Sequence, residues 1–420
     1  MREMKDSGFD WIGKTPSNWR FLKGKYIFKQ RNSKGNTRNL ELLSPSQKFG
    51  VIPQSLLEEM TTQNVVKVKE DTDLMAFKTI HKGDYCISLR SFQGGFEYSR
   101  YEGVVSSAYQ VFYPCVEIFD GYYRYLFKDT SFIEKMNSYT ISFRDGKNIA
   151  FGDFGNTYIP YPPVEEQRKI AEHLDEECFQ IDGLIADIQA QIDTLEQHKK
   201  STVIEIVTKG LNPDAPMKDS GIQWIGEIPQ MWDCIRGKYI LQYISKPTRE
   251  DDGVITCFRD GEVTLRSKRR EDGFTMADKE IGYQGIDVGD LVVHGMDGFA
   301  GAIGISDSRG KASPVLNVLE TKQNKRYIMY FLRGMAYGDV FMALATGIRV
   351  RSCDLRWNKL AELFYPVPPI EEQNAIVEYI DRIISETNAI IATKKEQIST
   401  LEAYKKSVIF EYVTGKKEVE

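Results

Sequence analysis

The chain has 420 residues, a formal net charge of -5, and 41% hydrophobic, 27% charged and 12% aromatic side chains, the balance of an ordinary globular protein. A mildly acidic chain does not coat nucleic acid indiscriminately, although local basic patches stay compatible with it. The opening MREMKDSGFDWIG has no apolar signal region and no run nears the ~20 apolar residues a bilayer requires, so the expected location is cytoplasmic with no membrane partner.

Six cysteines, at 86, 115, 178, 234, 257 and 353, stand far apart without a C-x-x-C pair, which fits reduced thiols better than a disulfide framework or a zinc site. The four histidines form no ligand pair, and no metal site is expected. No G-x-x-x-x-G-K-[ST] loop, G-x-G-x-x-G turn or asparagine-proline-proline-aromatic motif occurs, so nothing marks this chain as an enzyme or as the holder of a nucleotide cofactor.

In chain order, residues 5–19 read KDSGFDWIGKTPSNW and residues 24–27 read GKYI. Short apolar and β-branched runs follow with turn signals such as Lys82-Gly83-Asp84, the pattern of a mixed α/β globule over 1–157. A strand opened by Gly83-Asp84 leads to Arg90, Ser91 and Gln93, and an Arg144-Asp145-Gly146-Lys147-Asn148 stretch stands before the next element. From 158, YIPYPPVEEQ turns an extended segment into a helix: the prolines end the strand, and Glu165 and Glu166 meet the positive end of the helix dipole. Carboxylates so placed are capping partners, and they are assigned no catalysis. Apolar positions then step through Leu174, Cys178, Ile181, Ile185, Ile188, Ile192 and Leu195 by fours and threes, a coiled-coil seam. A helix of about 40 residues runs ~60 Å and needs a partner helix. Thr208 to Pro213 supplies the glycine and proline that end it, so 158–212 is a spacer.

The chain then says the same thing again. KDSGIQWIGEIPQMW at 218–232 repeats the opening at an offset of 213 and carries GKYI to 237–240, while FYPVPPIEEQ from 364 repeats the helix start at an offset of 206. Within the second globule, 213–363, GDLVVHGMDGFAGA at 289–302 stands opposite GDYCISLRSFQGGF at 83–96, Ser313–Val318 opposite Ser106–Val111, and TGIRVR at 346–351 in the place of the 144–148 stretch. Its spacer, 364–420, has the seam Ile380, Ile384, Thr387, Ile391, Lys394, Ile398 and Leu401, with Lys394 as a polar interruption suited to fixing register. The expected fold is α+β: two mixed α/β domains joined by two long helices packed as an antiparallel coiled coil, with internal pseudo-twofold symmetry. A frame that is kept while the middles drift implies one architecture presenting two unlike recognition surfaces.

The paired W-I-G-x-x-P-x-x-W segments, the P-P-[VI]-E-E-Q helix starts and the Gly-Asp strands together resemble the specificity subunit of type I restriction-modification systems, over nearly the whole chain. The resemblance implies two target-recognition domains, each reading one half of a bipartite site in double-stranded DNA, with the helices as a spacer that docks two methyltransferase subunits. It also implies endonuclease-translocase subunits, and it places S-adenosylmethionine, ATP and magnesium in partner subunits, leaving this chain without catalysis. Cys257 to Asp307 looks like a common type of such domain; the first domain is a less familiar variant.

Candidate DNA contacts follow from that placement. Arg144 and Lys147, with Arg349 and Arg351 in the repeat, can bridge phosphates or grip guanine, and their glycines let backbone approach closely. Arg266, Lys268 and Arg269 form the densest basic run of the domains and suit phosphate, or else a solvated hairpin. Arg90, Ser91 and Gln93, and His294 opposite them, lie where side chains can reach base edges, although a strand histidine is more often a packed or hydrogen-bonded residue. Trp11, Trp19, Trp224 and Trp232 lie in the undiverged frame, where packing explains them better than base stacking. The rival reading of the whole is a structural adaptor whose two domains bind protein.

Overall fold

The computed structural model describes residues 2–35, 40–61, 74–87, 95–139, 149–269, 281–344 and 355–419. The chain forms two compact units, Met1–Asp187 with Glu396–Glu420, and Ile188–Lys395. Each therefore combines one globule with part of both long helices, Val164–Lys209 and Ile370–Val413.

Unit 1 is built on an antiparallel sheet in the order Phe28–Arg31, Gln110–Pro114, Tyr85–Ile87, Phe96–Tyr98. Strand Arg20–Lys23 pairs with Tyr158–Tyr161, so the frame segment and the lead-in to the first long helix close on each other. The core is aromatic: Trp19, Phe28, Tyr85, Phe96, Phe112, Tyr122, Tyr123, Phe127, Phe132 and Phe154 are buried together. Phe28 meets Tyr85, Phe112 and Tyr123 edge-on at centroid distances of 5.5, 5.4 and 5.2 Å, the geometry ring quadrupoles prefer.

Unit 2 repeats that plan with different side chains. Its sheet runs Leu241–Ile244, Leu316–Thr321, Leu291–His294, Ile303–Ile305, and Asp233–Arg236 pairs with Phe364–Val367. Leu241, Leu291, Val293, Ile303, Leu319, Ile328 and Leu332 make the core. Helix Lys325–Tyr337 covers it, capped by Asn324, whose side chain accepts from the Arg326 and Tyr327 amides.

Three devices written in the repeat recur in both units. The glycine of each Gly-Asp turn has a φ that favours glycine, +93 at Gly83 and +87 at Gly289. The aspartate after it is buried: Asp84 accepts from the His81 amide and takes a bidentate grip from Arg31, while Asp290 accepts from the Asp287 amide and from Lys246. At the helix starts the glutamines are fully buried, joining the helix to a neighbouring segment. Gln167 accepts from Phe119 N and donates to the Pro162 carbonyl; Gln373 accepts from Asn324 N and donates to Pro368. Buried tyrosines complete the corner: the Tyr122 hydroxyl donates to the Val413 carbonyl, that of Tyr327 to Val207.

The seams face inward as their spacing requires. Leu174, Ile181, Ile192, Ile380 and Ile391 are buried, and Ile185, Leu195, Ile384, Ile398 and Leu401 half-buried. Within unit 1 the rings of His173 and Tyr412 lie 4.5 Å apart and Asp182 pairs with Lys405. Within unit 2 Lys394 donates to Gln191, and Lys199 to Asn388. In both, numbering rises along one helix as it falls along the other, so the helices pack antiparallel. The polar interruption at Lys394 is spent on a cross-helix hydrogen bond. Among the described residues no helix is long and apolar enough to cross a membrane, and no group of side chains is arranged to hold a metal ion.

Candidate nucleic-acid interface

Where the diverged segments leave the sheet decides what they can do. In unit 1, Ile87 pairs with Gln110 at one end of the sheet, and the chain that carries Arg90, Ser91 and Gln93 continues from there. The Gln110 side chain donates to the Ile149 carbonyl at 2.9 Å and accepts from Phe151 N at 2.7 Å. It thereby pins the segment that follows Arg144 and Lys147 to the same end.

Unit 2 does this with Asn317. Its amide donates to the carbonyls of Val293 and Leu355, each at 3.1 Å, and its oxygen accepts from Trp357 N. Leu355 N in turn donates to the Gly295 carbonyl at 2.8 Å. The loop after His294 and the segment after Arg351 therefore start and finish side by side. Arg90, Ser91, Gln93, Arg144, Lys147, Arg349 and Arg351 lie outside the described residues, but in each unit their flanks are drawn to one end of one sheet by a side-chain amide, half-buried at Gln110 and buried at Asn317. Gln110 and Asn317 face each other in the repeat, a pairing legible in sequence, although its clamp function is not.

His294 is described, and it organises its own loop. Its Nδ1 accepts from the amides of Met296 and Asp297 at 3.2 and 2.9 Å. Burial lowers its pKa, with Asp297 opposing and Arg259 adding to the shift, so the ring is neutral with its proton on Nε2. What the loop presents is Met296, which is exposed, and the ion pair of Asp297 with Arg259 at 2.8 Å. Gly304, beyond the loop, packs on the Gly261 carbonyl with no room for a Cβ, the close backbone approach that a glycine-rich hairpin permits.

Arg266, Lys268 and Arg269 share a single helical turn after the hairpin Ile255–Cys257 and Val263–Leu265. Arg266 donates to Thr256, Lys268 to Ser308, and Arg269 pairs with Asp260 and Glu262 while lying over the Phe258 ring at 4.1 Å. Exposed pairs of this kind are worth roughly 0–1 kcal/mol, so exchanging carboxylate for phosphate costs little. A cleft of about 600 Å³ in unit 2 gathers further cations: Arg259 and Arg333 from the domain, Lys199 and Lys200 from the first long helix. Their scatter along the chain left no signal in sequence.

Comparison with known proteins agrees with this arrangement. A family model described as the type I restriction modification DNA specificity domain matches residues 16–197. The type I restriction enzyme MjaVIII specificity subunit of Methanocaldococcus jannaschii is 26% identical over 279 residues, which are 63% of this chain and 63% of that relative's length. Two solved structures share the fold. One, described as the structural basis underlying complex assembly and conformational transition of the type I R-M system, has a TM-score of 0.67 at 14% identity and covers 96% of this chain and 99% of its own. The other, the HsdS subunit from Thermoanaerobacter tengcongensis, has a TM-score of 0.50 at 15% identity over 96% of this chain and 98% of its own. At such identities the structures speak for the fold alone. By the family model over residues 16–197 and by the related sequence, the chain is similar to type I restriction-modification specificity subunits.

Proposed function

We propose that this chain is the DNA-specificity subunit of a type I restriction-modification complex: each domain reads one half of a bipartite site, and the helices set the spacing and dock two methyltransferase subunits. The observation that carries this is the convergence of the residues flanking the diverged, arginine-bearing segments on one sheet end in each unit, held by Gln110 and Asn317. Constant clamps under variable loops let two halves of one frame read different bases. The chain itself does no chemistry; S-adenosylmethionine, ATP and magnesium belong to methyltransferase and endonuclease-translocase partners, and the complex works in the cytoplasm. Arg266, Lys268 and Arg269 supply phosphate contact, Arg90, Ser91 and Gln93 base contacts, and Arg144, Lys147, Arg349 and Arg351 contacts to phosphate or guanine.

Because net charge is -5, the isolated chain is expected to bind DNA weakly and with a steep salt dependence that eases when partners enclose the duplex. Two domains meeting the same face of B-DNA place half-site centres ~34 Å, or about 10 base pairs, apart. The test is methylation mapping in cells expressing the chain with its methyltransferase. A two-part motif with unlike halves and a fixed gap is expected, and it widens when both helices gain whole turns. Methylation without sequence preference would overturn the reading.

A further inference from the structure

The frame that packs the domains also carries exposed side chains, and one group of them recurs in both units. Tyr26 is 59% exposed and its repeat Tyr239 is 75% exposed, although large aromatic side chains are ordinarily well buried. Beside each, a lysine sits over the ring, Lys25 at 5.7 Å and Lys238 at 5.5 Å from the centroid. Equivalent acceptors hold these lysines: Asn156 takes a hydrogen bond from Lys25, and Glu362 one from Lys238. Next to them a second cation lies over a second aromatic, Lys23 over Tyr158 at 5.4 Å and Arg236 over Phe364 at 5.1 Å.

This group does not share the end of the sheet that carries the diverged segments. In unit 1, Phe28 pairs with Pro114, and Cys115 N donates to the Ile27 carbonyl, so Tyr26 stands at the Pro114 end while the variable segments leave at Gln110. In unit 2, Thr321 donates to the Ile240 carbonyl, so Tyr239 stands at the Thr321 end while the variable segments leave at Leu316. The two ends are roughly 13–17 Å apart along a strand. A ligand gripped by the variable ends does not explain a cation–aromatic group at the other, and Glu362 inside the group is unsuited to phosphate. A single exposed tyrosine is unremarkable; the same tyrosine, lysine and stacked cation retained in two diverged domains indicate a constant partner met twice.

We propose that Lys25–Tyr26 and Lys238–Tyr239, with Lys23–Tyr158 and Arg236–Phe364 beside them, are two equivalent docking points for a protein present in two copies, the methyltransferase subunit. The occupant's identity rests on the functional reading above. Its complementary face carries carboxylates around an apolar recess that takes the tyrosine ring, because a ring flanked by cations presents both features. Tyrosine is among the residues that dominate binding energy at interface centres.

The test is native mass spectrometry and a titration of the full chain with its methyltransferase, for wild type, Tyr26→Ser, Tyr239→Ser and the double variant. Wild type is expected to take two copies. Each single variant should weaken one site about thirty-fold, the loss of a ~2 kcal/mol anchor, so that a one-copy complex appears on dilution, and the double variant should weaken both. Melting temperatures should hold, since the rings are exposed. A double variant that retains two copies at wild-type affinity overturns the proposal while leaving the functional reading intact. So does a double variant that assembles normally but loses DNA affinity, which would give the group to nucleic acid. A wild-type chain that takes no methyltransferase sinks the functional reading and this occupant together.

Discussion

The two units hold the same strands in the same order with almost opposite cores. Where unit 1 has Phe28, Tyr85, Phe96, Phe112 and Phe154, unit 2 has Leu241, Leu291, Ile303, Leu319 and Leu360, all buried and at matching places in the two frameworks. The plan of the domain therefore resides in what both retain: the pattern of inward positions, the Gly-Asp turn and the buried glutamine and amide ties. Volume and shape within that plan are free to vary so long as each core is filled. The same latitude lets the ends of the sheet diverge without disturbing the frame.

The largest test of that comparison cuts each core at the matching strand position. Phe112→Ala should cost about 3–5 kcal/mol and Leu319→Ala about 2–5 kcal/mol, with amide hydrogen exchange accelerating in the unit that carries the change. Exchange that rises equally in both units would show that the cores are not independent. A sharper form swaps them: Leu319→Phe should cost roughly 1–3 kcal/mol from overpacking, because unit 2 lacks the ring-sized space that Phe112 fills in unit 1.

Much of this was legible in sequence because it depends on local spacing or on repetition. The helix seams need only a period, the packing role of Trp19 and Trp232 follows from their place in the undiverged frame, and the Gly-Asp turns announce themselves. His294 was legible only as a choice between base contact and packing, and its ring holds two loop amides. The convergence of the residues that flank the variable segments was not legible at all, since it depends on Asn317 joining Leu355 to Val293 across intervening chain that no periodicity connects. The cleft of Lys199, Lys200, Arg259 and Arg333 was hidden for the same reason. The exposed tyrosines were visible as letters of the repeat, but only accessibility separates them from the buried letters around them.

The helix latch should separate the units by a smaller margin. Gln167→Leu leaves Phe119 N and the Pro162 carbonyl without that partner, and Gln373→Leu does the same to Asn324 N and the Pro368 carbonyl. Each buried group left unpaired costs about 1–3 kcal/mol. Because Gln373 also donates to Gln323 at 2.7 Å, the unit 2 variant should be the more damaging in urea unfolding. Equal losses would mean that this third bond contributes nothing.

Acidity should divide the units by sign. Burial pushes the Glu97 carboxyl up from 4.5 to about 7 in spite of Lys128 at 2.6 Å, and Gly304 stands at its place in unit 2. A carboxyl raised in the folded state favours the fold when protonated, so this contribution is present below pH 4.5 and lost as pH climbs to about 7. Asp287 runs the other way: hydrogen bonds from Lys246 and then Arg309 hold it down to about 2, so its contribution is present above 3.8 and lost as pH falls toward 2. Unit-resolved hydrogen exchange between pH 4.5 and 7 should show unit 1 loosening as pH rises, and Glu97→Gln should flatten that slope. An unchanged slope in the variant would assign it to another group.

A single hydrogen bond also separates two tryptophans at the same place in the repeat. Trp232 donates its Nε1 to Glu372 at 2.9 Å. Trp19 is just as buried, yet its Nε1 has no partner among the described residues, because Arg2 pairs with the equivalent Glu166 and lies over the Trp19 ring at 5.5 Å. Replacing each with phenylalanine removes similar ring volume, so the difference between the two costs isolates the hydrogen bond. Trp232→Phe should exceed Trp19→Phe by about 1.5–3 kcal/mol, the range for a bond to a charged acceptor, less whatever solvent returns to Glu372. If Trp19→Phe is the costlier change, the Arg2 cation over the indole stabilises unit 1 more than the direct bond stabilises unit 2. The two copies would then have reached comparable stability at this corner by different means, as their cores have.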